Sequence, residues 1–249
     1  MFFPEKIKSI KDDDKVLEIG PGGTPFERAD VFLDRKFDNE SEAKFQRGNT
    51  EKLKTSKPVF FYDGKAFPFK DKEFDYVICS HVIEHVEDVE SFLNEIVRVA
   101  KAGYIEFPTV YYEYLYNFDP HLNFVSLKND TIFWMPKSET KINDFKSINK
   151  FFFETLNKSY VDLVNDLKEY MFQGFEWKEG IKHERVAEIN DLIFEYEIDN
   201  IEKSKEQLIL ELNNTKSDLN QLRSEMESHK KTMLCKVQSG VDYLKKIIK

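Results

Sequence analysis

Three groups of residues in this chain of 249 have the types and spacing to do chemistry. The first is a glycine loop, VLEIGPGGTPF at 16–26, in which Glu18 stands two residues before Gly20 and is followed by Gly22 and Gly23. Glycine lets the backbone take a positive φ and lets a ligand approach the main chain closely. A carboxylate fixed beside such a loop suits a ligand with a cationic or hydroxyl-bearing end. The second group is a pair of acids ending apolar runs: Asp34 in VFLDRKF, and Asp63 in PVFFYDGK with Gly64 beside it. The third is histidine: His81-Val-Ile-Glu84-His85, directly after Ser80, and His121 in FDPHLNF. Neutral imidazole is the usual proton acceptor near pH 7.

Several familiar chemistries do not fit. A dinucleotide fingerprint needs glycine at 20, 22 and 25, and Pro25 stands at the last position. The phosphate-binding loop ending in Lys-Ser or Lys-Thr is absent. The text HxxEH at 81–85 spells the inverted zinc-peptidase motif, which needs both histidines on one helix face and a further ligand downstream. Because His81 leaves the apolar run FDYVICS, no metal site is expected there. Glu84 and His85 are expected to orient the turn and cap the helix that follows.

The elements that must position these residues come from local pattern. KVLEIG (15–20), VFLD (31–34), PVFFYD (58–63), FDYVICS (74–80) and GYIEFP (103–108) read as strands, alternating with helical patterns. Residues 87–100 carry Val89, Phe92, Leu93, Ile96, Val97 and Val99 at helical spacing. Residues 121–136 predict a hairpin turning at Asn129-Asp130, 143–170 a helix, and MFQGFEWK (171–178) a last strand. The run VYYEYLYNF (110–118) reads as a packed lid helix. Alternating strands and helices imply a parallel sheet in an α/β sandwich, with ligands beyond the carboxyl ends of the strands.

The glycine loop, the acid after the second strand and the stretch 62–108 resemble, in matching order, the motifs of class I S-adenosylmethionine-dependent methyltransferases, strongly over about 12–110 and weakly to 180. The resemblance implies a Rossmann-like sandwich with S-adenosylmethionine as cofactor. It implies that Glu18, Gly20, Gly22 and Gly23 cradle the amino-acid end, that Asp34 holds the ribose hydroxyls, and that Asp63 and Gly64 meet the adenine. It places Ser80 and His81 beside the methyl group and His121 in an acceptor loop, which makes His81 and His121 the candidate bases for a hydroxyl acceptor. Two departures, Thr24 at the third glycine position and Lys101-Ala102-Gly103 before the fifth strand, keep open a non-catalytic scaffold with a degenerate cofactor domain. GYIEFP, HLNF and FEWK are similar to methyltransferase-domain proteins encoded among enzymes of cell-surface polysaccharide assembly, which implies a sugar or glycan-precursor hydroxyl as acceptor.

Composition bounds the rest. The net charge of -9 divides into +3 over 200–249, from ten Lys or Arg against seven Asp or Glu, and therefore -12 over 1–199. An acidic body disfavours nucleic acid, whose non-specific binding depends on Lys and Arg neutralising phosphates. Cys79 and Cys235 alone make no disulfide framework. The sequence shows no spanning apolar run and no leader, so the expected compartment is cytoplasmic.

The domain reading is a methyltransferase domain at 1–185, a coiled-coil helix at 186–233 and a basic tail at 234–249. From Phe194 to Met233 nine of twelve heptad a and d positions are apolar, a seam of roughly 60 Å. Acidic Glu211, Asp218 and Glu225 at g oppose basic Lys216, Arg223 and Lys230 at e, which favours a parallel homo-oligomer over a helix lying on its own domain. In the tail, Val241, Leu244 and Ile248 beside Lys245, Lys246 and Lys249 read equally as a weak contact for an anionic membrane or as a frayed, solvated end.

Overall fold

Strand β1 (Val16–Ile19) is buried at all four residues, Glu18 included. A strand buried on both faces needs cover on both sides of its sheet. The computed structural model supplies it, and describes residues 1–46, 53–156, 167–194, 209–210, 212–227 and 229–230. A six-stranded sheet orders β3 (Val59–Tyr62), β2 (Val31–Arg35), β1, β4 (Phe74–Ser80), β5 (Ala100–Pro108) and β8 (Phe172–Lys178). The first five strands run parallel and β8 pairs antiparallel to β5.

Alternate residues build the two faces. Leu17, Ile19, Leu33, Val77, Cys79 and Ile105 pack against helix α2 (Val89–Val99), which offers Phe92, Leu93 and Ile96. Val16, Phe32, Tyr76, Ile78 and Tyr104 meet Phe3, Met171, and Tyr112 and Tyr116 of helix α3 (Val110–Tyr116). The aromatic run is thus a helix packed through Val110, Tyr112 and Tyr116, with Tyr114 exposed. Asp88 caps α2, accepting from Ser91 N at 2.9 Å. Glu84 and His85 do not cap it: they lie in a separate 3-10 turn, Ile83–His85.

The alternation of strand and helix fails twice. The crossover from β1 to β2, residues 20–30, contains no helix, because Gly20, Gly22 and Gly23 with Pro21 and Pro25 disfavour one. Phe3, Phe26 and Ala29 cover that part of the sheet instead. After β2 comes helix α1 (Glu40–Gln46), whereas residues 63–73 between β3 and β4 again contain no helix.

The expected hairpin is present as β6 (Asn123–Lys128) and β7 (Thr131–Pro136). Asn129 (φ 48°) and Asp130 (φ 58°) both take the left-handed conformation that a two-residue hairpin turn demands. A strand that the pattern did not announce, β9 (Lys182–Arg185), joins them in a second sheet of order β6-β7-β9. The single helix expected over 143–170 is divided. A 3-10 turn at Ile142–Phe145 leads into α4 (Lys146–Leu156), and α5 (Lys168–Met171) precedes β8, while 157–166 lie outside the described residues.

The chain divides into two units, Met1–Phe194 and Glu195–Lys249. The first extends nine residues past the boundary expected at 185, because Val186 and Leu192 are buried with Val110, Phe124 and Met135. In the second, residues 209–210, 212–227 and 229–230 are helical, with Leu212, Leu219, Leu222 and Met226 exposed. The rest of the heptad span, 195–208, 211, 228 and 231–233, and the tail 234–249 lie outside the described residues. Among the described residues no helix is long and apolar enough to cross a membrane.

Candidate active site

Parallel pairing aligns the ends of β1, β2 and β4, and the loops that leave these ends border one cavity of about 750 Å³. All ten residues singled out in the sequence line it: Glu18, Gly20, Gly22, Gly23, Asp34, Asp63, Gly64, Ser80, His81 and His121.

Gly20 (φ 65°) leaves β1 in a left-handed turn, and a Cβ there would stand 2.5 Å from Val82 Cγ2. Only glycine fits both demands. Gly22 (φ 57°) and Gly64 (φ 90°) have positive φ with open space around them, the kind of bare backbone a ligand can approach. Glu18 is 5% exposed and accepts the backbone N–H of Phe26 at 2.8 Å. Burial pushes its carboxyl up to about 7, against the opposing pull of the Phe26 N–H. Asp34, at the end of β2, accepts from the Arg35 N–H at 2.8 Å, and Asp63 accepts from the Lys65 N–H at 3.2 Å.

Behind Ser80 and His81, which line the cavity, stands a buried acid that the local pattern did not single out. Glu106 on β5 is fully buried and lies opposite Ser80 in the sheet register. It accepts from Ser80 Oγ (3.0 Å), Tyr104 OH (2.7 Å) and the N–H groups of Phe2 and Phe3, and it faces His81 Nε2 at 3.0 Å. Burial alone would raise this carboxyl, but the His81 imidazole and the Tyr104 hydroxyl hold it at about 2. Ser80 is therefore engaged with Glu106 while lining the cavity. His81 sits in the left-handed conformation (φ 58°), the kind of backbone strain that collects at functional sites. Its Nδ1 lies 3.5 Å from Glu84 Oε1.

Glu84 is fully buried, and neither of its oxygens has a hydrogen-bond partner among the described residues. Around its Oε1 stand His85 Nε2 at 4.0 Å and His121 Nε2 at 3.9 Å. His121 is itself fixed by a short hydrogen bond from Nδ1 to Glu113, whose other oxygen accepts from Lys137 Nζ at 2.7 Å. Burial outweighs the nearby carboxylates at His85 and brings it down to about 4, so that ring is neutral at pH 7. A sequence signal for Glu106 and Glu113 exists: each is a lone charge inside an apolar or aromatic run, GYIEFP and VYYEYLY. Such charges are rarely buried without partners.

Residues 33–105 match the methyltransferase-domain family. Among curated proteins, ajmaline N-methyltransferase of Rauvolfia serpentina is 46% identical over 41 residues, 16% of this chain and 14% of that protein. Norajmaline N-methyltransferase of the same plant is 39% identical over 64 residues, 25% of this chain and 22% of that protein. The chain thus spans less than a quarter of the length of either relative. A solved SAM-dependent methyltransferase from Methanosarcina mazei aligns at 18% identity and a TM-score of 0.32, over 48% of this chain and 69% of that one.

Proposed function

We infer, from the match of residues 33–105 to the methyltransferase-domain family, an S-adenosylmethionine-dependent enzyme that transfers a methyl group to an acceptor oxygen, most simply a hydroxyl of a sugar or surface-glycan precursor. The observation that carries the transfer reading is one cavity bordered by the glycine loop, three spaced acids and the histidines. The residues present fit the cofactor: Gly22 and Gly64 leave backbone open to it, Glu18 can face its ammonium group, and Asp34 can accept from two ribose hydroxyls. When bound, it supplies an electrophilic methyl group on a sulfonium.

The chain's own contribution is positioning, which converts a bimolecular displacement into an effectively unimolecular one. The tight Gly20 turn fixes the loop, the acids set the orientation, and Ser80 and His81 border the end of β4 where the acceptor meets the methyl group. His81 and His121, which line the cavity, are the candidate bases for the acceptor proton. The glycan acceptor rests on the likeness of GYIEFP, HLNF and FEWK to proteins of polysaccharide assembly.

Calorimetry with S-adenosylhomocysteine tests the cofactor site. Binding is expected, and Asp34→Ala should weaken it by about tenfold or more, since a hydrogen bond to a charged group contributes about 1.5 to 3 kcal/mol. No binding at millimolar ligand would leave the scaffold reading, which Thr24 and Lys101-Ala102-Gly103 motivate. A methyl-transfer screen of hydroxyl-bearing glycan precursors against amine acceptors then decides the acceptor class.

A further inference from the structure

The geometry points to a divalent transition-metal site formed by Glu84, His85 and His121 at the acceptor side of the cavity. One ligand atom from each of the three residues lies within 4.8 Å of the other two. An ion at the centre of such a triangle is at most about 2.8 Å from each atom (the longest edge over √3), against about 2.0 to 2.2 Å for zinc bonded to imidazole or carboxylate. A contraction of about 0.6 to 0.8 Å brings all three into bonding distance.

The protonation pattern makes the centre acceptor-rich. Glu113 accepts from His121 Nδ1, and Gln46 Oε1 lies 3.0 Å from His85 Nδ1 as its acceptor. With the proton on Nδ1 in both rings, each Nε2 turns a lone pair toward Glu84 Oε1. Three acceptor atoms then converge on a carboxylate whose nearest described donor, His81 Nδ1, stands 3.5 Å from the same Oε1. A buried carboxylate so placed is costly unless a cation compensates it. A carboxylate or amide on the far nitrogen of each imidazole is also the arrangement by which proteins orient metal-ligating histidines. Lys137 anchors Glu113 from the other side.

Two imidazoles and a carboxylate suit zinc or ferrous iron better than magnesium or calcium, which prefer oxygen alone. The inverted zinc-peptidase reading of 81–85 is not the one realised. His81 sits at the strand exit, facing Glu106, and the residues after it form a 3-10 turn rather than an α-helix. The second histidine ligand instead comes from His121, 37 residues beyond Glu84. His85 and His121 line the cavity, so the ion keeps an open position facing it. That position suits an acceptor oxygen, whose proton an adjacent cation makes easier to lose. The use of the site rests on the methyltransferase reading, whereas its existence does not.

The test is titration of the full-length, chelator-dialysed protein with Zn²⁺, with Mg²⁺ as the contrasting ion and no cofactor present. One equivalent of zinc should bind with a dissociation constant below about 10 µM and raise the melting temperature, while magnesium does neither. Glu113→Gln should weaken zinc by roughly 10- to 100-fold through the orientation of His121. His85→Ala with His121→Ala should abolish the zinc-dependent shift, with folding checked by circular dichroism, while His183→Ala on the other sheet leaves it intact. Zinc binding weaker than about 10 µM, or equally tight in the double variant, overturns the site. S-adenosylhomocysteine titrated into the metal-free protein reports the cofactor reading separately, so either can fail alone.

Discussion

Phe26 donates its backbone N–H to Glu18 Oε2 over 2.8 Å, so the carboxylate on β1 closes the glycine loop that follows it. The loop is a constrained ring of chain, with its ends tied by one hydrogen bond and its first residue held against Val82. The behaviour of that ring can be measured.

Glu18 gives the fold a pH dependence of defined sign. Its carboxyl is raised from 4.5 to about 7 in the folded chain by burial. Between those values the folded state binds more protons than the unfolded one, so this residue's contribution to stability falls as pH rises, by on the order of 3 kcal/mol for the whole shift. Urea unfolding at about pH 5 and pH 8 should show wild type losing more stability than Glu18→Gln across that interval. A wild-type difference no larger than the variant's would mean the carboxyl is not raised. Because the ammonium of S-adenosylhomocysteine favours the ionised form, its affinity should increase over the same range in wild type and stay flat in the variant.

Gly20 and Gly22 separate two costs. Alanine at either position must take a positive φ, at about 1 to 2 kcal/mol. Only at Gly20 does the new Cβ also meet Val82, at 2.5 Å. Gly20→Ala should therefore lose more stability and more S-adenosylhomocysteine affinity than Gly22→Ala, measured side by side. Equal losses would indicate that Val82 moves aside freely.

His81 and His121 should separate chemistry from cofactor binding. Replacing either with Ala should lower turnover far more than it weakens S-adenosylhomocysteine, because neither belongs to the glycine loop or to the acids proposed to hold the cofactor. If both variants keep full turnover, positioning alone carries the step.

Residues 194–233 should make the protein a parallel homo-oligomer, most simply a dimer. Leu212, Leu219, Leu222 and Met226 are exposed in the helical stretch, and burying such a stripe against a copy supplies most of the affinity. The pairs Asp218 to Arg223 and Glu225 to Lys230 contribute only about 0.2 to 1 kcal/mol each and choose the orientation. Light scattering of the full chain should give an oligomer, and truncation after Phe194, where the first unit ends, a monomer that still binds cofactor. A full-length monomer at tens of micromolar, in low and high salt alike, would refute self-association.

The sequence by itself determined what depends on near neighbours. β1, β2, β3, β4 and β5, helix α2 and the hairpin turn at Asn129-Asp130 follow from spacing and residue type within a few positions, where backbone sterics and apolar periodicity act. The tertiary structure decided what depends on residues far apart. Register between β4 and β5 places Ser80 opposite Glu106. The buried helix α3 carries Glu113 to His121, and the chain returns to bring His121 to Glu84. No local pattern marks these meetings, because a buried charge is tolerated only once its distant partners, as far as 104 residues away for Glu106, have been folded around it. Glu84 was legible as a residue, but its position at the centre of three imidazoles was not.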